Sequence, residues 1–309
     1  MKKYIIEINN KELSTQENEK LLRELIDKFI IENKIITLKK IVFTDNWNEE
    51  LTEYQKEHNI PVEYTDSQYG SASGKTLKIK DKDIVQNVVF FRKEILMSII
   101  SQQGYGILLL YHELSHIYYY EKVGNMLDYL KIKNKIDFSI KEEFKDFGLS
   151  MWEEYFVSRF LCKYLLGSTD CFIGILIEEY KKIKIDMEQE IIEYRYSDDI
   201  NKLYNSARQK IKLISIYSAY SCGMINAFNI NENELYNEVH EILKVETGLV
   251  DIWERMYKIY NEIYMMFPNF KNIDSELIEL SSLFIELYNH FGIFIEELDT
   301  GDLYISVPL

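Results

Sequence analysis

The spacing of apolar residues predicts a front half that mixes helix and strand. Apolar residues recur at helical spacing after the capping box Ser14-x-x-Glu17 and predict a helix over 14–33. Runs rich in Ile, Val, Thr and aromatic residues then predict strands at 35–44, 62–64, 76–79 and 83–91. The glycine- and serine-rich segment 70–74 is predicted to be a loop.

Beyond Gly167 the apolar spacing is helical almost to the end of the chain. Helices are predicted at 173–195, 198–227, 232–245, 250–266 and 274–290. A closing hairpin is predicted from 292–297 and 303–307, around Thr300-Gly301. An aromatic stripe at helical spacing is predicted to be core packing, not a ligand box; it consists of Trp253, Tyr257, Tyr260 and Tyr264. The fold class is therefore α+β, with a mixed helix and sheet domain over 1–166 and a mostly helical domain over 167–309.

One short motif carries the chemistry of the chain, His112-Glu113-Leu114-Ser115-His116. Apolar segments at 106–111 and 117–120 flank it, and Gly124 follows, so the motif is predicted to lie on a helix. Residues four apart on a helix share a face, so both imidazoles can bind one metal ion with Glu113 beside them as a general base. The alternative is a core helix whose histidines bond to backbone groups or tyrosines.

The residues after the motif exclude one way of completing a metal site. The metzincin pattern requires Gly at position 119 and His at position 122, where this chain has Tyr119 and Lys122. The remaining common solution is a glutamate on a separate downstream helix. The best candidate for that helix is the segment 151–161, which contains two adjacent glutamates.

A helical wheel chooses between these two glutamates. At about 100° per residue, Glu154 points about 140° from Arg159 and about 180° from Lys163. Glu153 lies only about 120° and 80° from the same two residues. The two cations are expected to mark the solvent face, so Glu154 is predicted to point inward and to be the third ligand. The alternatives are a buried Glu154 bonded to a tyrosine or a backbone amide, or Glu153 as the ligand.

The motif His112-Glu113-x-x-His116, followed by Glu154-x-x-Val157-x-Arg159, resembles the soluble gluzincin-type metallopeptidases. The resemblance is above all to the compact cytosolic ones of the ImmA/IrrE kind, found in bacteria and their prophages, and it covers roughly 84–166. It implies a zincin-like domain over 1–166, whose mixed sheet packs on the motif helix. It also implies Zn²⁺ on the two histidines and the downstream glutamate, with Glu113 as base.

The same resemblance leaves two points open. Its sheet would bind an extended substrate along an edge strand, by β-augmentation, but the sequence does not identify that strand. Several gluzincins place an Asp four residues after the ligand glutamate to orient the first histidine, and this chain has Ser158 there. The partner that orients His112 is therefore unassigned.

The charge and the hydropathy of the chain limit the classes of binding partner that are expected. The net charge of −15 argues against non-specific nucleic-acid binding, which depends on basic residues. The apolar runs 95–100 and 106–111 are interrupted by polar residues, well short of the roughly 18 apolar residues of a membrane span. The apolar run at the start breaks at Glu7, which argues against a signal peptide. Neither nucleic acid nor membrane is expected as a partner.

Cysteine usage indicates a reducing compartment. Cys162, Cys171 and Cys222 are scattered and lack metal-binding spacing, so they are predicted to be buried thiols of a cytoplasmic protein.

The sequence thus predicts a zinc metallopeptidase that hydrolyses a protein or peptide substrate. The oxyanion donor is left open among His240, His290 and the tyrosines. One alternative is a regulatory zinc-binding module of zincin fold with little or no proteolysis. Another is a helical interaction protein in which the motif is accidental.

Overall fold

The computed structural model describes residues 4–61, 66–67, 70–81, 84–124, 140–164, 170–228, 235–270, 273–298 and 303–308. The chain is of the α+β class and forms two compact units, 1–124 and 125–309. The division into a domain over 1–166 and a domain over 167–309 stays a prediction. Within the described ranges, no helix is both long and apolar enough to cross a membrane.

The first unit combines a mixed sheet with helices. Its strands are β1 (Ile5–Asn9), β2 (Leu38–Thr44), β3 (Asp66–Ser67), β4 (Gly70–Ser71), β5 (Gly74–Asp81) and β6 (Ile84–Arg92). Its helices are α1 (Gln16–Asn33), α2 (Trp47–Glu57), α3 (Lys93–Ile100) and α4 (Gly104–Tyr119). A π-helical turn, Tyr120–Gly124, continues α4.

The main sheet has the order β1-β2-β6-β5. Strands β1, β2 and β6 are parallel, whereas β5 runs antiparallel to β6. Strand β5 is therefore an edge strand of this sheet as far as the described residues show.

The two faces of the sheet pack against different elements, because successive side chains of a strand point to opposite sides. One face forms a core with Trp47 and Leu51 of α2; its strand members are Val42, Leu77, Ile79, Val88 and Phe90. The opposite face of β5 meets α4, through Gly74 and Thr76. The sheet thus places one face of its edge strand against the motif helix.

Several local predictions for this unit need correction. The N-cap of α1 is Thr15, whose hydroxyl accepts from the Asn18 N–H, and not Ser14. The Ser14 N–H instead donates to the carbonyl of Asn10, so Ser14 belongs to the preceding turn. Segment 70–74 is not all loop, since β4 pairs with β3.

Other differences concern whole elements. Strand β1, helices α2 and α3, and the short strands β3 and β4 were not predicted, and the predicted strand at 62–64 lies outside the described residues. Strands β2, β5 and β6 were predicted, with bounds that differ by a few residues. The missed elements are short: β1 has 5 residues, α2 has 11 and α3 has 8, which gives a periodic pattern little length in which to show.

The second unit is helical with a small hairpin. Its helices are α5 (Ile140–Leu161), α6 (Asp170–Ser197), α7 (Ile200–Phe228), α8 (Leu235–Ile242), α9 (Val250–Met265) and α10 (Asp274–His290). Strands β7 (Phe294–Glu297) and β8 (Leu303–Ser306) pair antiparallel. The predicted helices and hairpin are confirmed, apart from shifts at their ends, and the turn at Thr300-Gly301 lies outside the described residues.

Close packing of α5 on α7 defines the core of this unit. An ideal Cβ at Gly223 would lie 2.5 Å from the carbonyl oxygen of Tyr155, so the two backbones approach too closely for a side chain there. Trp253 and Tyr260 of the aromatic stripe are 1% and 0% exposed, as predicted for core packing, whereas Tyr257 and Tyr264 are only partly buried.

Candidate metal site

The motif lies on α4, as the sequence predicted, and this helix is buried over most of its length. Leu110, Leu114 and Ile117 are fully buried. The hydroxyl of Ser115 donates to the carbonyl oxygen of Tyr111 at 2.7 Å, so this polar side chain is satisfied within the helix. Burial raises the pKa of Tyr111, with a further contribution from the charge of Glu32, so its phenol stays neutral at physiological pH.

The two motif histidines converge. His112 is 5% exposed and His116 8% exposed. Their Nε2 atoms lie 3.3 Å apart, and their rings meet edge to face with centroids 4.9 Å apart. The helical spacing thus brings two ring nitrogens to one point, where they can bind the same ion or share a long hydrogen bond.

Glu154 joins this pair. Ligand atoms of His112, His116 and Glu154 all lie within 4.8 Å of one another, with both histidines buried and Glu154 partly buried. Glu153 is not in this group, and the part of the chain that the structure describes contains no other cluster of this kind. A His-His-Glu group of this composition can bind a metal ion.

The prediction that Arg159 marks a solvent face is wrong, although Glu154, the glutamate chosen on that basis, does lie with the two histidines. Arg159 does not mark a solvent face, because it donates to the Tyr155 hydroxyl at 2.6 Å and to Asn261 Oδ1 at 2.7 Å. Its guanidinium also lies over the ring of Tyr264, 3.9 Å from the centroid. Lys163 is exposed, as expected. Arginine has an apolar stem and a charged end, so its position on a helical wheel does not show which side of the helix is exposed to solvent.

Glu113 is held by the edge strand of the sheet. It is 7% exposed, and the hydroxyl of Thr76 lies 2.8 Å from its Oε2 and 3.0 Å from its backbone carbonyl oxygen. An ideal Cβ at Gly74 would lie 2.8 Å from Glu113 Cγ, so the glutamate packs directly against the backbone of β5.

This contact was not predicted from the sequence. Its period-2 pattern places Gly74 and Thr76 on one face of β5, but only packing decides that this face meets α4.

Glu121, in the turn that follows α4, binds the segment just before β2. Its carboxylate Oε1 accepts hydrogen bonds from the backbone N–H groups of Ile36 and Thr37, both at 2.8 Å, and from the Thr37 hydroxyl at 2.6 Å. This side chain therefore ties the π-helical turn to the segment that enters β2.

The other histidines considered for the site have different contacts. His240 Nε2 lies 2.8 Å from a carboxylate oxygen of Glu254, and His290 Nε2 lies 2.8 Å from the carbonyl oxygen of Thr247. The choice of oxyanion donor stays open. Ser158 is fully buried, and its hydroxyl makes no hydrogen bond with any described residue, so no partner is assigned to His112 from that position.

Comparisons of the chain with family models, with curated proteins and with solved structures find no match. The class that the fold and the site define is accordingly an α+β protein with a His-His-Glu group compatible with an HExxH metal site.

Proposed function

We propose that the chain is a zinc-dependent metallopeptidase of the gluzincin type. The observation that carries this proposal is the convergence of His112, His116 and Glu154. Zinc–nitrogen distances of about 2.0–2.1 Å in a tetrahedral site separate two nitrogen ligands by about 3.3–3.4 Å. The observed Nε2–Nε2 distance of 3.3 Å agrees with that geometry. The ligand atom of Glu154 lies within 4.8 Å of both histidine nitrogens.

The roles of the chain's own residues follow from their chemistry. The two histidines and Glu154 would hold the ion through three ligand atoms, the number that the protein supplies in catalytic zinc sites. A bound zinc ion supplies Lewis acidity, which lowers the pKa of water to about 7 and polarises a substrate carbonyl. Glu113 accepts the proton of the attacking water and returns it to the leaving amine.

The sheet supports a peptide as the substrate. Strand β5 pairs with β6 on one side, while its other side is unpaired among the described strands, and β5 is also the strand that contacts Glu113. We propose that an extended segment of a protein or peptide substrate pairs with this edge by β-augmentation. Backbone hydrogen bonds to β5 would then place the substrate next to the general base, Glu113.

The test compares wild type with Glu113→Gln. The amide is nearly isosteric but cannot take up the proton of the water, so Glu113→Gln should keep about one zinc per chain and lose peptide hydrolysis. Zinc is measured by elemental analysis of protein purified without added metal. Cleavage is measured on a synthetic library of ten-residue peptides and on proteins of a host lysate, because an enzyme of this kind can act on a single protein.

Two outcomes would remove the proposal. Protein that cannot be loaded with zinc, cobalt or manganese lacks the metal site altogether. Identical cleavage patterns for zinc-loaded wild type and Glu113→Gln would favour the regulatory zinc-binding module.

A further inference from the structure

Strand β5 presents two residues to the proposed general base, and the proposed mechanism uses neither of them. Thr76 is partly buried, and its hydroxyl oxygen lies within hydrogen-bond distance of both the carboxylate and the backbone carbonyl of Glu113. A hydroxyl carries one hydrogen and therefore donates to one of these acceptors at a time. Either way, the contact tethers Glu113 to β5.

Gly74 forms the second side of this contact. An ideal Cβ at this position would lie 2.8 Å from Glu113 Cγ, 3.0 Å from Glu113 Oε1 and 2.9 Å from Phe91 Cε1. Only a hydrogen atom fits there, so the glycine is needed for space. Because Gly74 has no side chain, the Glu113 side chain can pack directly against the backbone of β5.

Together these contacts remove the freedom that a glutamate side chain ordinarily has. Glutamate loses considerable rotamer entropy when it is held in one place, and a general base must lie within hydrogen-bond reach of the proton that it takes. Misplacement of a catalytic group by about 1 Å can lower a rate about 100-fold. A strand that fixes the carboxylate would supply this precision.

We propose that Thr76 is a positioning residue that holds the carboxylate of Glu113 in its working rotamer, with Gly74 leaving the room for it. The proposal rests on the proposed function, since Thr76 acts only through the general base. In the proposed function the substrate pairs through its backbone with the outer edge of β5, whereas the Thr76 side chain lies on the face of the sheet that meets α4, so a change at Thr76 should alter kcat and leave KM nearly unchanged.

The experiment compares Thr76→Val with Thr76→Ser. Valine keeps the shape of threonine without the hydroxyl, and serine keeps the hydroxyl. We expect Thr76→Val to retain zinc and to lower kcat about 10–100-fold at similar KM. Thr76→Ser should remain within about threefold of wild-type kcat, because its unbranched side chain still reaches Glu113. The substrate is a library peptide that wild type cleaves and Glu113→Gln does not.

A second readout does not depend on activity. Crystal structures of the zinc-loaded variants should show the Glu113 carboxylate displaced by about 1 Å or more in Thr76→Val and unmoved in Thr76→Ser. Gly74→Ala tests the position of the Glu113 carboxylate independently of Thr76. Its methyl group should displace the same carboxylate and lower kcat while Thr76 is intact.

A matched control is Thr44→Val. Thr44 is a buried threonine of β2, a strand that β6 separates from β5, and its hydroxyl accepts from the Asn46 N–H at 2.9 Å. This variant should leave kcat unchanged.

Three results would overturn the role of Thr76. These are wild-type kcat in Thr76→Val, an unmoved Glu113 in its crystal structure, or a serine variant as slow as the valine variant. If instead no peptide distinguishes wild type from Glu113→Gln, the proposed function fails and the positioning role fails with it. The two failures are therefore distinguishable by the activity of wild type.

Discussion

At the scale of single residues, the candidate site depends on two adjacent glutamates with different surroundings. Glu154 lies with the two histidines, whereas Glu153, its neighbour in the chain, does not. Both are partly buried, so exposure alone does not separate them. Their directions differ because successive helix residues are rotated by about 100°.

This difference leads to a metal-binding prediction. Loss of a residue that only hydrogen-bonds a metal ligand lowers metal affinity by roughly 10–100-fold. Glu154→Ala removes a ligand atom itself, so its zinc affinity should fall by more than this. Glu153→Ala is the matched control and should keep about one zinc per chain. The measurement is elemental analysis together with competition against a chelator of known affinity. Equal zinc affinity in the two variants would contradict the assignment of Glu154.

At the scale of elements, the orientation of the motif helix depends on how its C-terminal end is fastened. Glu121 has a side chain that is 7% exposed and satisfies two backbone N–H groups and one hydroxyl just before β2. Hydrogen bonds to a charged acceptor are stronger than those between neutral groups. This single carboxylate therefore joins two elements that lie far apart in the sequence.

Removing this carboxylate should destabilise the first unit. Glu121→Ala leaves three donors without their acceptor, and we expect the free energy of unfolding to fall by about 2 kcal/mol, since partial access to water limits the loss. Glu24→Ala is the control, because that side chain is 65% exposed and its ion pair with Lys20 is a surface contact. It should change the free energy by less than about 0.5 kcal/mol. Urea unfolding followed by circular dichroism measures both, and equal effects would show that the contact is unimportant.

At the scale of the whole molecule, several groups that can ionise are buried in neutral form. Burial raises the pKa of Cys162 to about 12 and also raises the pKa of Cys222. The same cause raises the pKa of three tyrosines, Tyr155, Tyr180 and Tyr260. The two thiols are buried, as the sequence predicted, and the side chain of Cys171 lies outside the described residues.

These raised pKa values predict a loss of stability in alkaline solution. In the unfolded chain thiols ionise near pH 8.5 and phenols near pH 10, whereas the folded chain keeps its protons. The unfolded state then binds fewer protons than the folded state, so the free energy of unfolding falls as pH rises above about 9. Each group contributes a slope of up to about 1.4 kcal/mol per pH unit.

The measurement is the midpoint of urea unfolding between pH 8 and pH 10.5. Cys162→Ala should show a shallower decline than wild type, because it lacks one of the titrating groups. A midpoint independent of pH over this range would contradict the prediction, as would an unchanged slope in Cys162→Ala.

The features that depend on local geometry could be predicted from the amino-acid sequence. A helix places residues four apart on one face, so His112 and His116 were predicted to converge from their spacing alone, and they do. The α+β class and the long helices of the second unit follow from periodicity, which is also local.

Contacts between residues that are distant in the sequence could not be predicted and became visible in the folded chain. Thr76 and Glu113 are 37 residues apart, and no periodic pattern tells which face of β5 the motif helix covers. The cap at Thr15 depended on a competing turn at Asn10, and the surroundings of Arg159 depended on Asn261 and Tyr264, far along the chain. Such contacts arise when whole elements pack to bury their apolar faces, and the best packing is a property of all of them together.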